Sequence, residues 1–359
     1  MSRIYNFNAG PAALPLEVLE TAQIELVDYK NTGMSLLEAS HRGKAYDAIH
    51  EEAIANIREL LNVSDDYAVL LLQGGASMQF SMVPMNLLLP GETADYTNSG
   101  SWASKAIKEA QKVGTVNVVA NCGKEIPTRV PAASELKLTS GAKYLHLTSN
   151  ETISGAQWKA FPEVDCPIVA DMSSDILSRP FDMSKFGLVY AGAQKNLGPS
   201  GLTLVIVRKD LVANTPANLP TMLKYSTHIE SNSLYNTPPC FSIYILTLVT
   251  RWVKKMGKEN LYKQNIAKAA ELYKAIDTSE GWFTGTAVKE YRSDMNVTFR
   301  LPTEALEAQF VIEATKAGFS GLKGHRDVGG IRASIYNAFP TQGVTDLVAF
   351  MNAFKKANG

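Results

Sequence analysis

Between residues 67 and 208 the chain repeats one unit: a strand-length apolar run, a turn, then an amphipathic stretch. Residues 67–72, 93–98, 116–120, 144–148, 168–171, 188–191 and 202–208 read as strands. Several are apolar at nearly every position rather than at alternate ones, which suits a strand covered on both faces. The stretches between them supply that cover. Residues 45–61 carry Ile49, Ala53, Ile57 and Leu60 at helical spacing, and further helix patterns begin at about Met78 and span 101–113. Strands alternating with helices predict an α/β fold with a mostly parallel sheet covered by helices. The texture changes after a long helix pattern at 241–256. A long helix, a strand at 295–301, a helix at 303–317, a strand at 330–334 and a helix at 341–357 then predict a smaller α+β unit. At roughly 150 residues per domain, 359 residues suit two domains. The expected division is 16–256 as the large domain, with 1–15 and 257–359 as the small one.

Several function classes are disfavoured early. Lys plus Arg and Asp plus Glu both number 35, so the net charge is zero and nothing favours nucleic acid or an anionic membrane as partner. Cys122, Cys166 and Cys240 are far apart, and no CxxC pair suggests a metal site or a disulfide framework. The start lacks the basic and apolar regions of a signal peptide, and the apolar runs are too short to span a membrane. The expected location is the cytoplasm.

In an open α/β sheet, ligands sit beyond the carboxyl ends of the strands. The 188–191 strand runs into Gly192-Ala193-Gln194-Lys195-Asn196-Leu197-Gly198-Pro199-Ser200-Gly201. A loop lysine is usually a solvated one, but here small flanking residues let a large planar ligand approach. The 168–171 strand ends in Asp171, which alone could be an ordinary turn or cap aspartate. It precedes Lys195 by about one crossover unit, so the two can lie on neighbouring strands. Pyridoxal phosphate needs such a pair. An ionised aspartate keeps its ring nitrogen protonated, and a desolvated lysine bonds its aldehyde and can later carry a proton between two carbons. Gln73-Gly74-Gly75-Ala76-Ser77, between strand and helix, offers backbone N–H groups for a phosphate, although a Gly-Gly turn alone is weak evidence. Trp102 follows the strand ending at Asn98, where an indole can stack on a planar ring or simply fill core.

Together with Asn6-Phe7-Asn8-Ala9-Gly10-Pro11-Ala12, Ser40-His41-Arg42-Gly43, Tyr190-Ala191-Gly192-Ala193-Gln194-Lys195-Asn196-Leu197-Gly198-Pro199, Tyr235-Asn236-Thr237-Pro238-Pro239 and Gly324-His325-Arg326-Asp327, these segments resemble the class V aminotransferases nearly end to end. The resemblance implies the fold of type I pyridoxal-phosphate enzymes, with 16–256 binding the cofactor. It implies that Lys195 bonds the cofactor, Asp171 holds the pyridine nitrogen, Trp102 stacks on the ring and Thr152 donates to it. It implies that Ala76, Ser77 and Gln194 hold the phosphate, while Asn236 and Thr237 reach it from the other subunit of a homodimer. Some relatives carry an arginine in the Gly-Gly turn where this chain has Ala76-Ser77, so the phosphate here relies on neutral donors.

The remaining signal is local cationic clustering in a neutral chain. His41-Arg42 and His325-Arg326 both sit in glycine-flanked settings, and Arg332 lies in the 330–334 strand. Any single arginine is more often a surface ion-pair partner, but guanidinium forks also bind carboxylate and phosphate in bidentate fashion. The resemblance then implies an α-carboxylate on Arg332 and a distal anion on His41, Arg42, His325 and Arg326. The expected reaction is a ping-pong exchange between O-phospho-L-serine with 2-oxoglutarate and 3-phosphohydroxypyruvate with L-glutamate, as in serine synthesis. The same chemistry covers 4-phosphohydroxy-L-threonine in pyridoxine synthesis. The nearer rival is a transaminase of the alanine–glyoxylate type, which would not need two His-Arg pairs. A cysteine desulfurase would need a nucleophilic cysteine after Cys240, and none follows. A nicotinamide dehydrogenase would want the missing Gly-x-Gly-x-x-Gly. A binding protein with no activity would have little use for Lys195 and Asp171.

Overall fold

The computed structural model describes residues 3–122 and 127–359. Its main sheet has seven strands, in the order Tyr67–Leu72, Thr203–Arg208, Phe186–Gly192, Ile168–Asp171, Leu145–Thr148, Thr93–Asn98 and Thr115–Asn121. All run the same way except Thr203–Arg208, which is antiparallel to both neighbours. The sheet is therefore mostly parallel, as the strand–helix rhythm requires. The reversed strand is the exception, and it follows directly from the loop holding Lys195. Gly192 pairs with Thr203, and the Ala193 N–H donates to the Leu202 carbonyl at 2.9 Å, so that loop is a hairpin closed at its base rather than a crossover.

The uniformly apolar strands are explained by two cores. Side chains alternate across a strand. Val69 and Leu71 enter one core with Leu204, Ile206, Val189 and Ala191. Leu70 and Leu72 enter the other with Val205, Val207, Leu188 and Tyr190. Helices Lys44–Leu61 and Cys240–Met256 pack in the first core, and helices Gly75–Leu87 and Ser101–Ala110 in the second.

A third core lies in the C-terminal unit, around the three-stranded antiparallel sheet Thr284–Gly285, Asn296–Arg300 and Ile331–Ser334. The N-terminal segment joins it: Tyr5–Asn6 pairs with Phe319–Ser320, and Phe7 is wholly buried there.

One polar junction ties this third core to the main sheet. Lys268, in helix Lys258–Asp277, has no exposed surface, and its ammonium donates to the carbonyls of Ile335 at 3.1 Å, Tyr336 at 2.7 Å and Phe339 at 3.1 Å. The same segment reaches the Lys195 loop, since the Asn337 N–H donates to Asn196 Oδ1 at 3.0 Å. Lys268→Met would leave three carbonyls short of a donor, each costing up to a few kcal/mol. We expect a loss of about 3 kcal/mol, read as a lower denaturant midpoint at unchanged slope. An unmoved midpoint would mean that water or a backbone shift replaces the ammonium.

Candidate active site

Strand ends place the reactive side chains. Ile168–Asp171 and Phe186–Gly192 are adjacent and parallel, so Asp171 and the loop after Gly192 emerge at the same edge. Asp171 is buried. Its Oδ1 accepts from the Ser173 N–H at 2.9 Å and the Ser173 hydroxyl at 2.6 Å. Among the described residues Oδ2 accepts no hydrogen bond, although it belongs to a residue lining the cleft. Burial pushes the carboxyl up, while the Ser173 donors and the nearby Lys195 ammonium pull it back toward the ionised form.

Lys195 Nζ donates to Thr152 Oγ1 at 2.8 Å and lies 5.9 Å from the centroid of the Trp102 indole. Burial lowers its pKa from 10.5 to about 8; the Arg332 guanidinium pushes the same way, and Asp171 and Glu151 oppose. Only the neutral amine is a nucleophile. Because the shift is downward, the reactive form is half-populated near pH 8 rather than above 10. Cofactor-free protein should therefore capture a small aldehyde at a rate that rises through pH 8 and then levels. A rate still climbing steeply above pH 9.5 would contradict this.

The cleft, about 130 Å3, is lined by Gly75, Ala76, Ser77, Trp102, Asn150, Thr152, Asp171, Ser173, Ser174, Gln194 and Lys195. Helix Gly75–Leu87 starts at this rim, three residues earlier than apolar spacing indicates, because Gly-Gly-Ala-Ser carries no periodic signal. Gly74 and Gly75 have φ of 93° and 65°, and a Cβ on Gly74 would lie 2.6 Å from Met78 Cβ. That conformation turns the first amides of the helix, which have no partner in their own helix, toward an incoming anion. The donor set suits pyridoxal phosphate: an unused carboxylate oxygen for a ring N–H, an indole for the ring, a desolvated amine for the aldehyde and a helix N-terminus for the phosphate.

The anion-binding candidates are not all at this cleft within one chain. Arg332 adjoins it: its Nη1 donates to the carbonyl of the lining residue Thr152 at 3.4 Å, while its buried Nε has no partner among the described residues. Burial lowers its pKa. His325 and Arg326 border a neighbouring hollow of about 560 Å3 beside Arg300 and Glu307. Burial lowers the His325 pKa, with Arg332, Arg326 and Lys105 adding to the fall and Asp327 opposing it. His41 lines a separate hollow of about 360 Å3 together with Thr237, and Arg42 donates to His41 Nε2 at 3.4 Å. Asn236 donates to Gln73 Oε1 at 2.9 Å. Neither Asn236 nor Thr237 lines the Lys195 cleft of its own chain.

Sequence reasoning missed Glu151, Asn150 and Ser173. An Asn-Glu-Thr run after a strand looks like solvated loop, and a serine two residues past an aspartate looks like an ordinary turn. Ser173 was the more legible of the two signals, since a strand-end aspartate with a hydroxyl two residues on can close on itself.

Comparison with known proteins gives a consistent picture. Residues 4–347 match the family Aminotransferase class-V. The chain is 56% identical over 357 residues to a phosphoserine aminotransferase of Geobacillus kaustophilus, covering 99% of each. It is similar to the solved phosphoserine aminotransferase of Bacillus circulans subsp. alkalophilus, at 57% identity and a TM-score of 0.97 over 99% of each chain. The pyridoxal-phosphate-bound phosphoserine aminotransferase of Trichomonas vaginalis is 40% identical, with a TM-score of 0.94 over 98% of this chain and 100% of that one. A solved alanine–glyoxylate aminotransferase of Nostoc has 16% identity and a TM-score of 0.79 over 99% of this chain and 96% of that one, which is a likeness of fold alone.

Proposed function

Because this chain belongs to the class V aminotransferases, we infer that its cleft transfers an amino group between O-phospho-L-serine with 2-oxoglutarate and 3-phosphohydroxypyruvate with L-glutamate. The cofactor is pyridoxal phosphate. The observation that carries the chemistry is one cleft holding a desolvated lysine, a buried aspartate with an oxygen to spare and an indole. The reaction is ping-pong: glutamate leaves as 2-oxoglutarate before 3-phosphohydroxypyruvate takes the amino group. Bound in the cleft, the cofactor supplies an electron sink that lets the amino acid's α-carbon give up its proton. Lys195 Nζ would hold the cofactor, and as a free amine would be the base that takes that proton. The Thr152 hydroxyl orients Nζ. Asp171 Oδ2 keeps the ring nitrogen protonated, with Ser173 fixing the carboxylate. Ala76, Ser77 and Gln194 hold the phosphate, and Arg332 takes the α-carboxylate.

The distal anion goes to His41, Arg42, His325 and Arg326. Their separation within one chain supports a site completed across a homodimer, with Asn236 and Thr237 reaching the partner's cofactor phosphate. The strongly exposed Ile24, Val27 and Leu37, at 79%, 80% and 63%, supply apolar surface for such a contact. We propose 16–256 as the large domain and 1–15 with 257–359 as the small one, a division supported by the burial of Phe7 in the third core. The proposal extends to 4-phosphohydroxy-L-threonine, which presents the same two anions. No helix among the described residues is long and apolar enough to cross a membrane, and we place the enzyme in the cytoplasm.

The test is a coupled assay with 2-oxoglutarate and either phosphoserine or serine. A site built for the phosphate should leave its buried donors unpaired with serine, so phosphoserine should be preferred by at least about 10^3-fold in kcat/KM. Equal rates would overturn the phosphate assignment while leaving the transaminase chemistry standing.

A further inference from the structure

Glu151 is a carboxylate with no exposed surface, between Asn150 and Thr152, which line the cofactor cleft, and the mechanism above gives it no task. It sits in the short hairpin that pairs Asn150–Glu151 with Ala156–Gln157, immediately before Thr152. Its side chain crosses to another element. Oε1 accepts from the Ser99 hydroxyl at 3.1 Å and the Ala103 N–H at 3.3 Å, and Oε2 accepts from the Trp102 N–H at 3.4 Å. All three donors lie at the start of helix Ser101–Ala110, where unpaired amides and the helix dipole favour a negative charge. The neighbouring chain has been kept clear for it: a Cβ on Gly100 would lie 2.7 Å from Glu151 Cδ and Oε2.

The indole itself is loosely held. Trp102 Nε1 is buried and has no hydrogen-bond partner among the described residues. Apart from packing, its specific contacts among the described residues are the Lys105 ammonium, 4.1 Å from the ring centroid, the more distant Lys195 ammonium at 5.9 Å, and the backbone contact to Glu151. The stacking surface is thus fixed through the backbone, by a side chain whose own neighbour carries the hydroxyl that orients Lys195. Resting on the active-site reading above, we propose that Glu151 is the positioning residue for Trp102, bracing the first turn of that helix against the Asn150–Gln157 hairpin so that the indole keeps its distance from Lys195 and Thr152. Burial raises the carboxyl to about 7, against the pull of its three donors, with Asp171 adding to the rise. Glu151 in turn is one of the acids that favour the charged form of Lys195.

A double-mutant cycle on the dissociation constant of pyridoxal phosphate tests this, in a readout that does not depend on turnover. Glu151→Gln keeps the volume and one acceptor oxygen but turns an NH2 group toward the Trp102 N–H. It should raise the dissociation constant about tenfold and change the near-ultraviolet circular dichroism of the cofactor-free protein. Trp102→Ala should raise the constant at least as much. In the Trp102→Ala background, Glu151→Gln should add less than about twofold, because the residue it positions is gone. Additive effects, or an unchanged constant in Glu151→Gln, would overturn the proposal. If Trp102→Ala alone leaves cofactor affinity intact, it is the stacking role and hence the site reading that fails. Should Glu151→Gln fold poorly, Gly100→Ala crowds the same carboxylate from the other side and is expected to raise the constant in the same Trp102-dependent way.

Discussion

Lys195→Ala protein loaded with pyridoxal phosphate should lack the borohydride-sensitive visible band of the wild type and lose at least about 10^4-fold in kcat/KM. Two functions disappear together. In the proposed mechanism the residue is both the amine that bonds the aldehyde and the base that takes the α proton, and neither role can pass to a neighbour. Thr152 is the hydrogen-bond partner of Nζ but neither a useful base nor a basic amine. Glu151 is committed to three donors, and Asp171 to Ser173 and, in the proposed mechanism, to the ring nitrogen. Lys195→Arg sharpens the test. It keeps a cation against Asp171 but is a guanidinium that stays protonated near neutrality, so it should fail as badly as alanine. An arginine variant with a tenth of wild-type activity would mean that charge rather than nucleophilicity is what the position supplies.

Asp171→Asn should retain the fold and lower kcat by about 10^3-fold, in the range seen when one preorganised electrostatic group is removed from an active site. The amide can accept the Ser173 bonds that Oδ1 accepts now, so local geometry survives. It cannot carry the negative charge that holds a proton on a pyridine nitrogen. Asp171→Ala should add weaker cofactor binding to the same kinetic loss, because it also frees the Ser173 hydroxyl. Near-normal turnover in the asparagine variant would remove Asp171 from the chemistry and leave it as a structural turn residue.

What could be read from the sequence followed from what burial imposes on composition. Tyr67–Leu72 and Ile168–Asp171 have the limits that apolar runs indicate, since only a strand covered on both faces tolerates them. The reversal of Thr203–Arg208 was illegible for the same reason: a run apolar at every position carries no direction. Helix Gly75–Leu87 was placed late because its first turn is chosen for backbone freedom rather than for packing. Lys195 and Asp171 stood out because strand ends are where an α/β sheet puts its ligands. Glu151 did not, because a buried carboxylate is recognisable only by its donors, and those lie about 50 positions earlier in the chain. The histidine–arginine pairs could be read as residue types, but residue types carry no distances. Only the fold separates them, with His41 at one hollow and His325 and Arg326 at another, both outside the Lys195 cleft.

The hairpin that carries Lys195 has a consequence for how this site can change over time. Both of its ends are knit into the middle of the sheet, at Gly192 and Thr203, so inserting or deleting a residue there would shift the amine or tear the ladder. Loop 323–330, at the neighbouring hollow, is closed by the Gly324 N–H on the Gly330 carbonyl at 2.8 Å and lies outside the main sheet, where a change of length need not shift the amine. New substrate preferences should therefore arise at the periphery, leaving the nitrogen in place as the reference point from which every variant of the pocket is measured.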